Sequence, residues 1–411
     1  MKLHLSIIFS LFIINAARGQ THTLQYFLET AKNNSPLLKD LRNQVASNKI
    51  DSIRLRAGLK PQVNLNSSGL YAPVKDGYGY AAAITNEHTL NALVGVNQQI
   101  IGKSNIDAQL QAITLQSQSV ANSAKISEQD LKKTITAQYI TAYGSLQQLK
   151  FNRELVNLLD QEEELLKKLT RTNVYRQSDY LTFLVTLKQQ ELSLLQSEQQ
   201  YKADYGTLNY LTGVADTTTH DLAEPAIERH ILPDAANSIF FMQYKLDSLN
   251  LVNSKKLIDY SYRPKLNLLA DGGYNSDFMS QAYKNFGVSA GISLTMPIYD
   301  GGQRKLQYRK LSLQEETRQN YKAFFNAQYR QQIAQLQQQI HDADDLLNKV
   351  DEQLKYSESL IKADTRLLQT GDLHIADLIL AVSNYFTIKN LRTTTEINKL
   401  QLVNQLNYWN R

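Results

Sequence analysis

From Phe286 onward the chain alternates with a period of two. Phe286, Val288, Ala290, Ile292, Leu294, Met296 and Ile298 fall on one side, and Gly287, Ser289, Gly291, Ser293 and Thr295 on the other. That pattern predicts a strand with one apolar face and one small, polar face. A weaker version begins at Val63, where Val63, Leu65, Ser67, Gly69 and Tyr71 share a face and Asn64, Asn66 and Ser68 oppose them. Each run belongs to a hairpin, which makes four expected strands. Elsewhere the period is helical. Ile106, Leu110, Ile113, Val120, Ala124, Leu131, Ile135, Ala142 and Leu149 form a heptad seam that needs a neighbouring helix. Proline is absent from Lys103 to about Arg171 and from Gln303 to about Gln369. Helices of roughly 65 residues would reach about 100 Å, too long for a compact domain. Turns at Arg171–Asp179 and Gln369–Asp377 lead into returning helices that end in "LNYLTG" and "LNYW".

The chain is written twice. "KPQVNL" at Lys60 recurs as "RPKLNL" at Arg263, "AQY" at Ala137 recurs at Ala327, and "LNY" at Leu208 recurs at Leu406. The offsets are 203, 190 and 198 residues, so order is kept while loop lengths drift. In each half a helical segment (about 24–58 and 236–260) meets a base and a proline, which stop the helix and open a strand. The reading is a first repeat over 20–213, a linker over 214–235 and a second repeat over 236–411. Residues 1–19, with Lys2, an apolar stretch from Leu3 to Ile14 and a small-residue end, have the form of a secretory signal. No later segment has the length and apolarity of a membrane helix, so entry into a membrane would require a β-barrel. Tyr71, Tyr78, Tyr80, Tyr274, Phe278, Tyr283, Phe286 and Tyr299 near the strand ends suggest aromatic girdles.

The 411 residues carry a net charge of +5, without a basic stripe interleaved with aromatics, so nucleic acid is not an expected partner. The absence of cysteine excludes disulfides, thiolate metal sites and a lipidated N-terminal cysteine. The seven histidines (4, 22, 88, 220, 230, 341 and 374) form no metal-binding spacing, and "DADD" at Asp342–Asp345 reads as a solvated helix face. No nucleophile, acid-base pair or cofactor loop emerges, so neither an enzyme nor a cofactor or metal site is expected.

"IIGKS" around Gly102, Lys103 and Ser104 ends like a phosphate-binding loop, yet Asn97 stands where the first glycine belongs. Its counterpart "PIYDGGQRK" lacks the lysine-serine pair. Both read as barrel-to-helix junctions, in which Gly102, Gly301 and Gly302 supply backbone freedom and Pro297 ends the ladder.

With these features in place, the chain resembles the TolC-like outer membrane efflux proteins. The resemblance rests on "TLQYFLETAKNNSPLLKDLRNQV" (Thr23–Val45), the strand starts at Pro61 and Pro264, "PIYDGG" (Pro297–Gly302) and "GDLHIADLILA" (Gly371–Ala381). His374 stands where the family usually has serine or threonine, and the first junction lacks the proline and paired glycines. The resemblance implies a mainly α protein with a membrane β-barrel, each half giving a helix, two strands and two long antiparallel helices. It implies a homotrimer that closes a 12-stranded barrel in outer membrane lipid of a Gram-negative bacterium and extends a periplasmic α-helical tunnel. It further implies an efflux or export channel that docks with a periplasmic adaptor protein and an inner membrane transporter. Arg176, Ser178, Asp179, Gly371, His374, Asp377 and Leu378 at the turns are then candidates for adaptor docking, with helix capping as the plainer role of Ser178 and Asp377. Asp364 is a candidate for an acidic ring at the aperture, or an ordinary exposed aspartate. A secreted coiled-coil adhesion protein without a channel is the alternative, and it leaves the strand pairs unexplained.

Overall fold

The computed structural model describes residues 22–81, 88–230, 238–276 and 282–410. The expected signal segment 1–19, Phe278 and the end of the expected linker, 231–235, lie outside the described residues. The elements run α1 (Leu24–Asn34), α2 (Pro36–Gly58), β1 (Gln62–Tyr71), β2 (His88–Ile100), α3 (Lys103–Arg171), α4 (Gln177–Thr212), α5 (Ile239–Ser261), β3 (Lys265–Ser276), β4 (Phe286–Thr295), α6 (Gln303–Thr370) and α7 (Ile375–Tyr408), with a short 3₁₀ turn at Ala282–Lys284.

One expected helix is two. Pro36 has no N–H to give and its ring crowds the preceding turn, so α1 ends at Asn34 and Pro36 opens α2. Ser35 Oγ accepts the N–H of Leu38 at 3.3 Å, which caps the new helix. Thr23 does the same for α1, accepting from Tyr26 at 3.3 Å.

The four strands form one antiparallel sheet in the order β1-β2-β3-β4. Its register keeps like with like: Leu65 faces Val94, Ala270 faces both Val96 and Ala290, and Leu268 faces Ile292. One face of the sheet is therefore apolar across all four strands. The other carries Asn64, Asn66, Ser68, Asn91, Asn97, Asn267, Asp271, Ser289 and Ser293, tied by bonds such as Asn91 Nδ2 to Ser68 Oγ (2.7 Å) and Ser289 Oγ to Asp271 (2.8 Å). The apolar face is bare: Val288 is 91% exposed, Ile292 73% and Leu65 71%. A sandwich strand would have its apolar side covered, so this sheet is not half of a soluble sandwich.

The chain divides into two compact units, each drawing on both halves of the sequence. One comprises the N-terminal stretch to Lys39, Lys125–Phe240 and everything from Phe325, and the other Asp40–Ala124 with Phe241–Phe324. In the second unit, which holds the sheet, the buried Asn253 donates to the carbonyl of Ala108 (2.9 Å) and fixes α5 to α3. In the first, Tyr139, Tyr205 and Phe27 are fully buried and bind the segment after α4 back onto the helices. Tyr139 Oη donates to the carbonyl of Ala223 at 2.6 Å, and Tyr205 Oη lies 2.7 Å from His22 Nδ1. Three of the 23 tyrosines, Tyr139, Tyr201 and Tyr205, are buried in this core. At the strand ends Tyr71, Tyr78, Tyr80, Tyr283, Phe286 and Tyr299 are exposed, whereas Tyr274 is buried. Among the described residues no helix is long and apolar enough to cross a membrane.

Candidate functional site

The two helical turns are the same structure at an offset of 198 residues. Asn173 in one and Gly371 in the other take the left-handed conformation, with φ of 63° and 81°. The next residue closes each turn: Val174 N–H donates to Leu169 O (3.0 Å), and Asp372 N–H donates to Leu367 O (3.1 Å). Arg176 and His374 then hold the N-cap positions of α4 and α7, and Asp179 and Asp377 follow in the first turns. Asp179 accepts the Arg176 backbone N–H at 3.2 Å, half of a capping box, and an acid there also suits the helix dipole. The plainer capping role expected of Ser178 and Asp377 is thus shifted: both lie inside their helices, and the cap positions belong to Arg176 and His374.

The turns also pack on each other. Tyr175 Oη donates to the carbonyl of Leu373 at 2.9 Å, and a Cβ on Gly371 would stand 2.6 Å from Val174 Cγ1. Behind them a buried cluster takes in Phe183, Leu187, Leu368, Ile375 and Leu378. Arg176, Ser178, His374 and Asp377 are exposed and can meet a partner. Leu378 is only 1% exposed, so it holds the turn from within and leaves the set of docking candidates.

Asp364 requires a second correction. It is buried, not exposed, and an aspartate that narrows a wet passage would have to be open in the single chain. Burial pushes its carboxyl above the usual range, and the charge of Asp377 adds to the effect. Glu162 on α3 is likewise buried and raised by desolvation, which a hydrogen bond from Thr365 partly offsets. Both acids occupy seam positions: Ile361, Asp364 and Leu368 follow a 3-4 spacing, as do Leu159, Glu162 and Leu166. That spacing was the signal by which the burial could have been found.

At the second junction β4 ends at Thr295, two residues before Pro297, and Gly301 and Gly302 have φ of 64° and 81°. Asp300, which sequence reasoning passed over, anchors the start of α6 by accepting from the N–H groups of Gly302 and Arg304, each at 2.8 Å. These bonds hold its carboxyl below the usual range. Arg304 reaches Asp259 of α5 at 2.6 Å, and Tyr308 donates to the same carboxylate. Gly102, by contrast, does not have a positive φ, so the backbone freedom expected of it is not used. Its carbonyl instead accepts the N–H groups of Asn105 and Ile106 at the start of α3.

The remaining candidates carry structure. Asp344 of "DADD" pairs with Lys399 of α7 at 2.5 Å. His22 and His220 have ring centroids 4.7 Å apart within the tyrosine cluster. Among the described residues no three or more His, Cys, Asp or Glu side chains are grouped to hold a metal ion.

This architecture is the TolC-like fold of outer membrane channels. Searches by sequence against family models and curated proteins find no match. Comparison with solved structures does find matches. CusC, whose structures concern folding and transmembrane channel formation, superposes with a TM-score of 0.78 at 11% identity, over 95% of this chain and 92% of that one. The outer membrane protein VceC of Vibrio cholerae gives 0.75 at 13% identity, over 94% and 96%. The open MtrE outer membrane channel of Neisseria gonorrhoeae gives 0.72 at 11%, over 94% and 88%. At such identities the likeness is one of fold.

Proposed function

We propose that the protein is the outer membrane channel of a tripartite efflux or export system. The observation that carries this reading is the bare apolar face of the four-stranded sheet. A face across which Leu65, Val288 and Ile292 stand exposed needs lipid or protein over it. Four strands cannot close a barrel, and open edges are not tolerated in hydrocarbon, so chains must combine. Three copies give twelve strands, with the apolar face toward lipid and the face of Asn, Ser and Asp271 toward a water-filled lumen. The long helices line a periplasmic tunnel, and their turns meet an adaptor that links the channel to an inner membrane pump. The fold shared with CusC, VceC and MtrE supports the reading.

The test is cross-linking in native membranes followed by gentle detergent extraction. A trimer that resists mild detergent is expected. A chain released without detergent as a soluble rod would be the adhesion protein instead, and species no larger than dimers would end the channel reading.

A further inference from the structure

We infer that the helix side of the sheet is a basic collar that binds the phosphate of anionic phospholipid headgroups in the adjoining leaflet, an inference that rests on the barrel reading above. Antiparallel pairing brings the start of β1, the end of β2, the start of β3 and the end of β4 to one edge of the sheet: Gln62 opposes Asn97, Ile100 opposes Leu266, and Lys265 opposes Thr295. Every one of these ends is flanked by a base. Lys60 precedes β1, Lys103 opens α3 after β2, Arg263 and Lys265 stand at the start of β3, and Arg304 and Lys305 lie in the first turn of α6 after β4. All six are exposed.

Three acids share these flanks: Asp259 is engaged with Arg304 and Tyr308 and Asp300 with the backbone of α6, while Asp107, one turn into α3 from Lys103, is exposed. The side-chain ammonium groups of the four lysines have no hydrogen-bond or ion-pair partner among the described residues. The opposite end is different in kind. The sequence between β1 and β2 and between β3 and β4 carries the bases Lys75 and Lys284 against the acids Asp76, Glu87 and Asp277.

Helix stability does not account for the bases that open α3 and α6. A helix N-terminus favours acids and disfavours bases. α4 and α7 follow that rule with Asp179 and Asp377, while α3 and α6 have no acid in the first turn and begin with Lys103 and with Arg304 and Lys305. Lys103, Arg304 and Lys305 stand where the helix dipole penalises a base, whereas Lys60 and Arg263 lie just past the C-terminal ends of α2 and α5, where it favours one. The exposed Ile298 lies by Arg304 and Lys305. An anionic headgroup at that level supplies countercharge to the exposed lysines, since a base near an anionic surface is favoured in a salt-dependent way.

The experiment reconstitutes the purified full-length protein into vesicles of phosphatidylethanolamine with a minor share of phosphatidylglycerol, and quantifies by mass spectrometry the lipid retained on the extracted protein. Wild type is expected to retain phosphatidylglycerol at about fivefold its share in the vesicle, with the excess falling as salt rises. Lys60→Gln, Lys103→Gln, Lys265→Gln and Lys305→Gln combined should insert normally and lose the excess, while the four Lys→Arg changes should keep it. Millimolar inorganic phosphate should not displace the lipid. Displacement would assign the site to the free anion and overturn the inference. Normal insertion with equal retention in wild type and the Gln variant would overturn the collar alone. Failure of wild type to enter these vesicles would overturn the barrel reading and the collar with it.

Discussion

At Gly273 the sheet leaves no room for a side chain. Its φ of 152° is rare for L-residues, and a Cβ there would lie 2.2 Å from the carbonyl oxygen of Ala92 on the neighbouring strand. Gly287, its cross-strand partner on β4, has open space around it. Gly273→Val should therefore break the β2–β3 ladder and abolish folded oligomer in heat-modifiability gels, whereas Gly287→Ala should leave it intact. Equal yields would show that the close approach is not needed. Asp364 supports a prediction of a different kind. Because its folded carboxyl titrates above the unfolded value, stability from this group is present at low pH and is lost as pH rises through the raised value. Asp364→Asn should raise the thermal midpoint of the extracted protein at neutral pH and flatten its decline between mildly acidic and neutral pH. A lower midpoint at neutral pH would mean that the charge is stabilised by groups outside the chain. Part of this was legible beforehand, since Asp364, Glu162 and Leu378 lie on apolar seams. The sequence reading singled out Asp364 as a charge and Leu378 as a turn residue and passed over Glu162, and only the three-four spacing marks them as interior.

Among the elements, period-two alternation made the four strands legible, because one face had to be uniformly apolar. The long helices were legible from unbroken seams without proline. What escaped was punctuation: the Ser35–Pro36 break, the anchoring by Asp300, and the equivalence of two turns that share few letters. "TNVYRQSD" and "TGDLHIAD" align only through backbone roles, a left-handed residue three positions before a cap and an acid three positions after it. The roles can be tested against each other. Gly371→Ala should destabilise its turn by about 1–2 kcal/mol from left-handed strain, and more where the new methyl meets Val174. Adding Val174→Ala should recover the contact cost but not the strain, while Asn173→Gly should be neutral or stabilising. Additive losses in the double variant would show that the two turns do not touch.

For the whole molecule, the repeat was visible in three short strings, but the packing units were not, because each unit is assembled from both halves of the chain. Under the channel reading an oligomer follows from the bare apolar face of the described sheet. Under the channel reading, the loops between β1 and β2 and between β3 and β4 face the cell exterior, and the helical turns are the periplasmic docking end. Three chains present six turns of one backbone geometry but two chemistries: Arg176, Ser178 and Asp179 in one kind, and His374 and Asp377 in the other. An adaptor assembled as six hairpins could then meet six similar seats and still distinguish two kinds. Docking should be probed with exposed residues, since replacing Leu378 or Gly371 also disturbs the core and the packing of the turns. Asp377→Lys and His374→Glu reverse or add surface charge at one kind of turn, and the loss of Asp377 near the helix start costs at most about 1 kcal/mol. The pair should abolish adaptor cross-linking and export while trimer abundance in the outer membrane stays near wild type. The exposed Arg176→Glu at the other kind of turn should do the same if both kinds are read, and should have little effect if only one is. Export and cross-linking that survive all three changes would move the docking surface away from the turns and leave them as helix closures.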